Sequence, residues 1–261
     1  MDFNLVRLQW PVSRSVCHAV AAVLAGKRAR LEQPLAHLCA RELSNDPELL
    51  RRHQKPGLPF VLACADERLV TCHLLGPAIA ELRSVVAALA AAAGESCPGR
   101  LTALDYQGEP HPVATDASAD LPVLSAAELL ELAAPRYCGC RQAQLELLSP
   151  LRLVGDGREL TRFEPERFIR TMLRRISSLA AYYGAAGDPE PFVRLADQAG
   201  TIRVVRMVSK GERDGCRGVV GSYLLSGDFA ELGPLLELGS LLHLGKGAAF
   251  GNGRFRITPL S

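Results

Sequence analysis

No apolar run in this 261-residue chain approaches the roughly 18 residues that cross a membrane. The opening MDFNLVRLQWPVSR also lacks the charged-then-apolar layout of a secretory signal. A cytoplasmic protein with no membrane partner is therefore expected. Metal-ligand spacing is missing as well. Of the eight cysteines only Cys138 and Cys140 are close neighbours, and no second pair completes a zinc site. The cysteines read as free thiols, and neither a metal nor another cofactor is expected. Excess charge is small at +2, but it is unevenly placed. Residues 1–140 hold 13 Lys/Arg against 15 Asp/Glu, and residues 141–261 hold 17 against 13. That asymmetry directs attention to the second half as the part that meets a polyanion. Hydrophobic residues make up 48%, enough to bury one large core or two ordinary ones.

The chain reads as the same order of elements twice. In the first half, residues 3–10 alternate as a strand. A helix follows from the N-cap Ser13 to the stop at Gly26, and another covers about 33–44. A third, short one begins at Asn45-Asp46-Pro47. PFVLACA and RLVTCHLL form two strands joined at Asp66-Glu67. PAIAELRSVVAALAAAAG is a helix with Pro77 in its first turn and Gly94 at its end, and LTALDYQ closes the half as a strand. In the second half, AQLELLSPLRLV is a strand and EPERFIRTMLRRISSLAAYYG a helix closed by Gly184. TIRVVRMVSK and RGVVGSYLLSG are strands around a GERDG turn, FAELGPLLELGSLLHLG is a helix, and FRITPL is the last strand. Two βαββαβ units in tandem predict an α+β protein of two ferredoxin-like, RRM-like domains, at 1–110 and 143–261. The proline-rich EPHPVATDASADLP and the helix SAAELLELAA between them read as a linker over 111–142. The fold hosts many functions, RNA binding among them.

The stretch GKGAAFGNGRFRI carries four glycines between positions 245 and 253. A nucleotide P-loop needs G-x-x-x-x-G-K-[ST] between a strand and a following helix. Here five residues separate Gly239 from Gly245, Gly247 stands in the Ser/Thr position, and a strand follows. The dinucleotide fingerprint fails for the same reason of order, and its third glycine is displaced by one residue. Two readings stay open from spacing alone. Successive amides at Gly245, Gly247, Gly251 and Gly253, with Lys246 and Arg254, can cradle a nucleic-acid phosphate. Alternatively the loop is only a tight helix-to-strand connection.

The segment GDFAELGPLLELGSLLHLGKGAAFGNGRFRI resembles the C-terminal signature of the RAMP superfamily, in particular the CRISPR-associated repeat-processing endoribonuclease, the sixth Cas family. The matching features are Gly227-Asp228, the Leu-rich helix, His243, Gly245-Lys246-Gly247, Phe250-Gly251, Gly253 and the aromatic-basic strand start. LELLSPLRLV, RFIRTMLRRISSLAAYYG and GVVGSYLLSG fall in that family's order, so the resemblance covers 143–261. Over 1–110 it rests on the βαββαβ order and on LLGPAIAELRSVVAAL. The resemblance implies metal-independent cutting of CRISPR precursor RNA within repeats, with the crRNA hairpin and other Cas effector subunits as partners. Type IV, III and I systems are all open. A non-catalytic subunit that holds the crRNA 3′ hairpin is the alternative. The long thumb insertion of filament-forming relatives has no counterpart in this sequence.

RNA cleavage by a 2′-hydroxyl needs a base, an acid for the leaving 5′-oxygen and positive charge at the phosphorane. The resemblance points to His53, in LLRRHQKPGLPF, as the catalytic histidine. A solvated loop histidine is the other reading. His18 on the first helix is a reserve. Arg28 and Arg30 after that helix are candidates for charge stabilisation, or else part of a solvated turn. His73 and His243 sit in apolar contexts and read as structural. For holding RNA, Arg167, Arg170, Arg174 and Arg175 recur at i, i+3, i+7 and i+8 and read as one face of the helix over 164–183. Arg203, Arg206, Lys210, Arg213 and Arg217 make the next hairpin basic. A phosphate-lined stem suits such a surface; a solvated basic face looks the same in sequence.

Overall fold

The alternation in the first strand decides how the two halves meet. Along β1 (Asn4–Pro11), Val6, Leu8 and Trp10 point into one hydrophobic cluster, while Leu5 and the preceding Phe3 point into another. A strand buried on both faces must lie between two layers, and this one does so at its N-terminal end. The structure, a computed structural model, describes residues 2–15, 57–66, 68–93, 101–113, 121–155, 157–185, 190–208 and 218–260. The helices expected over 13–26, over 33–44 and from Asn45 fall almost wholly outside those residues.

β2 (Phe60–Asp66) and β3 (Leu69–Leu75) form a hairpin that adds to β1. Beyond β3 the chain makes a 3₁₀ stretch, Gly76–Glu81, before α1 (Leu82–Ala93). The sequence reads as helix from Pro77 onward, but the first turn is wound tighter. β4 (Thr102–Leu104) pairs with β1 on its other side, which gives the order β2-β3-β1-β4. This is the ferredoxin arrangement, with the first and third strands inside. The closing strand is shorter than LTALDYQ suggests. The Asp105 carboxylate accepts hydrogen bonds from the amides of Gln107 and Glu109, each at 2.9 Å, and turns the chain back. The returning segment is β5 (Pro110–Pro112), antiparallel to β4. β6 (Leu124–Ser125) then pairs with the start of β1. The stretch read as a linker thus contributes two short strands to the first sheet, because the turn at Asp105 keeps it against the sheet edge.

α2 (Ala126–Ala133) is capped by the Ser125 hydroxyl, which accepts from the Glu128 amide at 3.3 Å. It leads into the second domain. There β7 (Gln142–Leu151), α3 (Pro165–Tyr183), β10 (Arg203–Val208), β11 (Val219–Ser226), α5 (Leu232–Leu242) and β12 (Phe255–Leu260) make the second βαββαβ unit. A small hairpin, β8 (Val154–Gly155) and β9 (Arg158–Glu159), precedes α3, and α4 (Glu190–Gln198) follows it. The sheet order is β10-β11-β7-β12, the same arrangement as in the first domain. α3 forms where Pro165 supplies the first turn, and it buries Phe168, Ile169, Met172, Leu173, Ile176 and Leu179 along one stripe. α5 is apolar almost all round because the sheet, α2 and the first domain cover different sides of it. No helix among the described residues is long and apolar enough to cross a membrane.

Each core borrows from the other domain. Phe3, Leu5, Leu75 and Leu124 pack into the second domain's cluster. In exchange Ala249 and Phe250, from the glycine loop, pack into the first domain's cluster.

Candidate nucleic-acid interface

α3, α4 and β10 enclose a groove of about 1220 Å³. Arg167, Arg170 and Arg174 of α3 line it, and so do Arg162 and Arg203. The lining also includes the apolar side chains of Phe163, Phe192 and Val204. Carboxylates answer part of the charge. Glu164 lies 3.4 Å from Arg162 and 3.7 Å from Arg167, and Glu166 and Asp197 lie 2.9 and 3.6 Å from Arg170. These pairs are exposed and individually worth little. Arg174 is exposed and, among the described residues, meets the Thr171 hydroxyl at 3.5 Å, so it is available to a phosphate.

Arg175 departs from the expected face. One residue further round the helix, its side chain turns inward, and its Nε donates to the carbonyl of Leu242 at 3.0 Å. Burial lowers the guanidinium pKa to about 10. The expected basic face therefore consists of Arg167, Arg170 and Arg174. The reason is angular: i+8 lies about 80° from i on a helix of 3.6 residues per turn.

The glycine loop is folded onto the protein itself. Gly245, Gly247, Gly251 and Gly253 all have positive φ, between 65° and 87°, a region open chiefly to glycine. A Cβ at Gly253 would lie 1.7 Å from the Leu244 carbonyl oxygen. The amide of Lys246 donates to Arg152 O, Ala248 to Gly245 O, Phe250 and Asn252 to Gly247 O, Gly251 to Ala248 O and Gly253 to Pro150 O. Those amides are satisfied internally, which argues for a geometric role for most of the loop. The Arg254 side chain reaches across to Cys64 O at 3.3 Å. Lys246 is the charge that the loop presents outward, 3.8 Å from Glu159.

Both histidines that read as structural are enclosed between the domains. His73 Nδ1 lies 2.6 Å from Leu241 O. A carbonyl only accepts, so the neutral ring carries its hydrogen on Nδ1. Burial lowers the His73 pKa to about 4. Burial and the nearby His73, Arg175 and Arg254 charges lower that of His243 as well. An unfolded histidine titrates near 6.5, so between pH 6.5 and 4 the unfolded chain binds the extra protons. Stability is thus expected to be full above about pH 6.5 and to fall as the pH drops. His73 contributes at most about 3 kcal/mol of that loss by pH 4. Urea melts from pH 7 to 4.5 check this, with the slope flattened in His73→Gln.

The catalytic candidates His53, His18, Arg28 and Arg30 lie outside the described residues, as do Lys210, Arg213 and Arg217. Sequence reasoning missed the contributions of Arg162 and Phe192 to the groove. Phe192 belongs to a helix, α4, whose nine residues EPFVRLADQ are too few for their period to stand out.

Residues 145–255 match the family model of the CRISPR-associated endoribonuclease Cas6. The matched segment is most of the second domain. It holds β7, α3, the groove and the glycine loop. Solved structures of Cas6 proteins share the fold of the whole chain. A Thermus thermophilus Cas6 aligns over 100% of this chain and 98% of its own, at 20% identity and a TM-score of 0.54. A Cas6 product complex aligns over 100% and 99%, at 17% and 0.51. A chain of a partial Cas6-RT-Cas1–Cas2 complex aligns over 99% of this chain but 46% of its own, at 14% and 0.64. Among curated proteins none matches.

Proposed function

We propose that this chain is a CRISPR repeat-processing endoribonuclease that cuts precursor RNA and keeps hold of the repeat hairpin. The observation that carries the reading is the Cas6 match over 145–255, the segment that contains the arginine-lined groove. The proposed reaction needs no metal. A base removes the proton of a ribose 2′-hydroxyl, and the 2′-oxygen bonds to the adjacent phosphorus. The bond from phosphorus to the 5′-oxygen breaks, and an acid protonates that oxygen. The products are a 2′,3′-cyclic phosphate and a 5′-hydroxyl. His53 is assigned a proton-transfer role, Arg28 and Arg30 the stabilisation of phosphorane charge, and His18 is held in reserve. Arg167, Arg170 and Arg174 hold the stem phosphates, with Lys246 alongside. The setting is the cytoplasm. A structure described as a Cas6-RT-Cas1–Cas2 complex supports other Cas proteins as partners.

Pure protein incubated with end-labelled repeat RNA in EDTA tests this. A single cut leaving a cyclic phosphate supports the nuclease. Tight binding without a cut supports a non-catalytic hairpin-holding subunit instead. For the groove, Arg170→Gln with Arg174→Gln is expected to weaken hairpin binding roughly tenfold or more at moderate salt and to lower the salt slope by about 2. An unchanged slope in filter-binding titrations removes the groove from the RNA path.

A further inference from the structure

The arginines of the groove suit phosphates, but phosphates leave the rest of its lining unused. Phe163, Phe192, Val193 and Val204 line the same space. Val193 and Val204 are 62% and 37% exposed, and both aromatic rings are only half-buried. A phosphate gains nothing from such surface, and leaving it in water is unfavourable. A paired stem does not use it either. The bases of an A-form helix hide their faces in the stack, and its major groove is too narrow for side chains to read. The faces of an unpaired base are the complementary surface. Glu164 and Glu166 line the groove as well. Carboxylates repel a phosphate, but they accept from the amino and ring N–H groups of a base edge.

The placement of the rings points the same way. RNA-binding domains of this fold stack bases on aromatic side chains of the open sheet face. Among the described residues that face has no aromatic here. Its central rows are Arg256, Glu146 and Ser222, and Thr258, Gln144 and Leu224. Phe163 lies on the opposite, helix side. It stacks on the buried Tyr223 of β11, with centroids 4.2 Å apart and planes at 26°, and it tilts against Phe168 at 5.5 Å. Val204 of β10 is the register partner of Leu225, two residues further along β11, and so shares that side. Backed in this way, Phe163 is held in place before any ligand arrives, which lowers the ordering cost of binding. α4 supplies Phe192 and α3 supplies Arg167, Arg170 and Arg174, so rings and cations surround one space.

We propose that this groove takes an unpaired nucleotide of an RNA strand, its base against Phe163 and Phe192 and its phosphates on the arginines of α3. The inference rests on the proposed function for its polymer, and it extends that reading from the paired stem to a single-stranded stretch.

Two labelled probes of equal charge test it, an adenosine RNA decamer and the same decamer with every base removed. Their affinities for the full chain are measured by fluorescence anisotropy in EDTA at several salt concentrations. The wild type is expected to bind the base-bearing decamer at least tenfold more tightly. Phe192→Leu and Phe163→Leu keep an apolar side chain but remove the ring face. Each is expected to bring the ratio below threefold, while affinity for the abasic decamer and the salt slope, which counts phosphate contacts, stay unchanged. Leu132→Ala, on the exposed side of α2, leaves the ratio as it is. If Phe163→Leu does not fold, Phe192→Leu alone decides. Equal binding of the two decamers by the wild type, or an undiminished ratio in Phe192→Leu, overturns the proposal. 5′-AMP is expected to bind at least a hundredfold more weakly than the decamer. Equal affinity for 5′-AMP overturns the strand as ligand in favour of a free nucleotide. Cutting of repeat RNA without any preference between the decamers removes the base pocket and leaves the proposed function standing.

Discussion

Phe250→Ala is expected to destabilise the protein by about 3–5 kcal/mol and to lower its melting temperature by roughly 10 °C. Phe250 follows the second domain's helix α5 in the chain, yet it is 8% exposed and packs in the first domain's cluster. Its ring meets Phe60 of β2 edge-on, with centroids 5.7 Å apart. Removing it leaves a cavity in one domain and unfastens the loop of the other. The signature is therefore more than a lower melting point. The transition is expected to split, with the first domain melting before the second, when far-UV dichroism and tryptophan fluorescence are followed together. Trp10, the chain's one tryptophan, sits in the first domain's cluster and reports on that domain. Phe250→Leu is expected to recover more than half of the loss. A single transition within about 1 kcal/mol of wild type means that the loop does not fasten the domains.

His53→Ala is expected to slow repeat cleavage by about 10²–10⁴-fold, the range for losing a positioned proton-transfer group. Repeat binding is expected to stay within about twofold, because a proton-transfer residue acts on the barrier and not on the phosphates that anchor the stem. Single-turnover cleavage and filter binding on the same preparations separate the two. Near-normal cutting moves the role to His18, Arg28 or Arg30. The pH profile adds an independent mark. A histidine in a model peptide titrates near 6.5, so a bend of the cleavage rate near neutral pH that disappears in His53→Ala marks histidine chemistry. His73, held near 4, does not produce such a bend.

The expected double βαββαβ order is present in both halves wherever the residues are described, and strand boundaries such as FRITPL at Phe255–Leu260 coincide with it. Strand period and helix period are local properties, and turns announce themselves by composition. The basic helix was equally visible. Within the arginine row Arg175 turns inward, and the cause is spacing. The i+8 position lies far enough round the helix for a neighbouring element to claim it, and α5 does so through Leu242 O. The glycine loop shows the opposite case. Its four glycines were legible, but their purpose was not, because two of the carbonyls that anchor its amides, those of Pro150 and Arg152, stand at a distant strand end.

What the sequence determined by itself is the alternation of elements, the resemblance of 143–261 to a repeat-processing nuclease, and the arginine row on α3. Those depend on residues close together in the chain. The tertiary structure alone decided that the two domains exchange core residues, that Phe250 fastens one to the other, and that Arg7, His73, Arg175, His243 and Arg254 meet in one seam. The members of that seam are separated by up to 247 positions. Only sheet pairing and helix packing bring them together, and the field they create exists only once water has been excluded from between the domains.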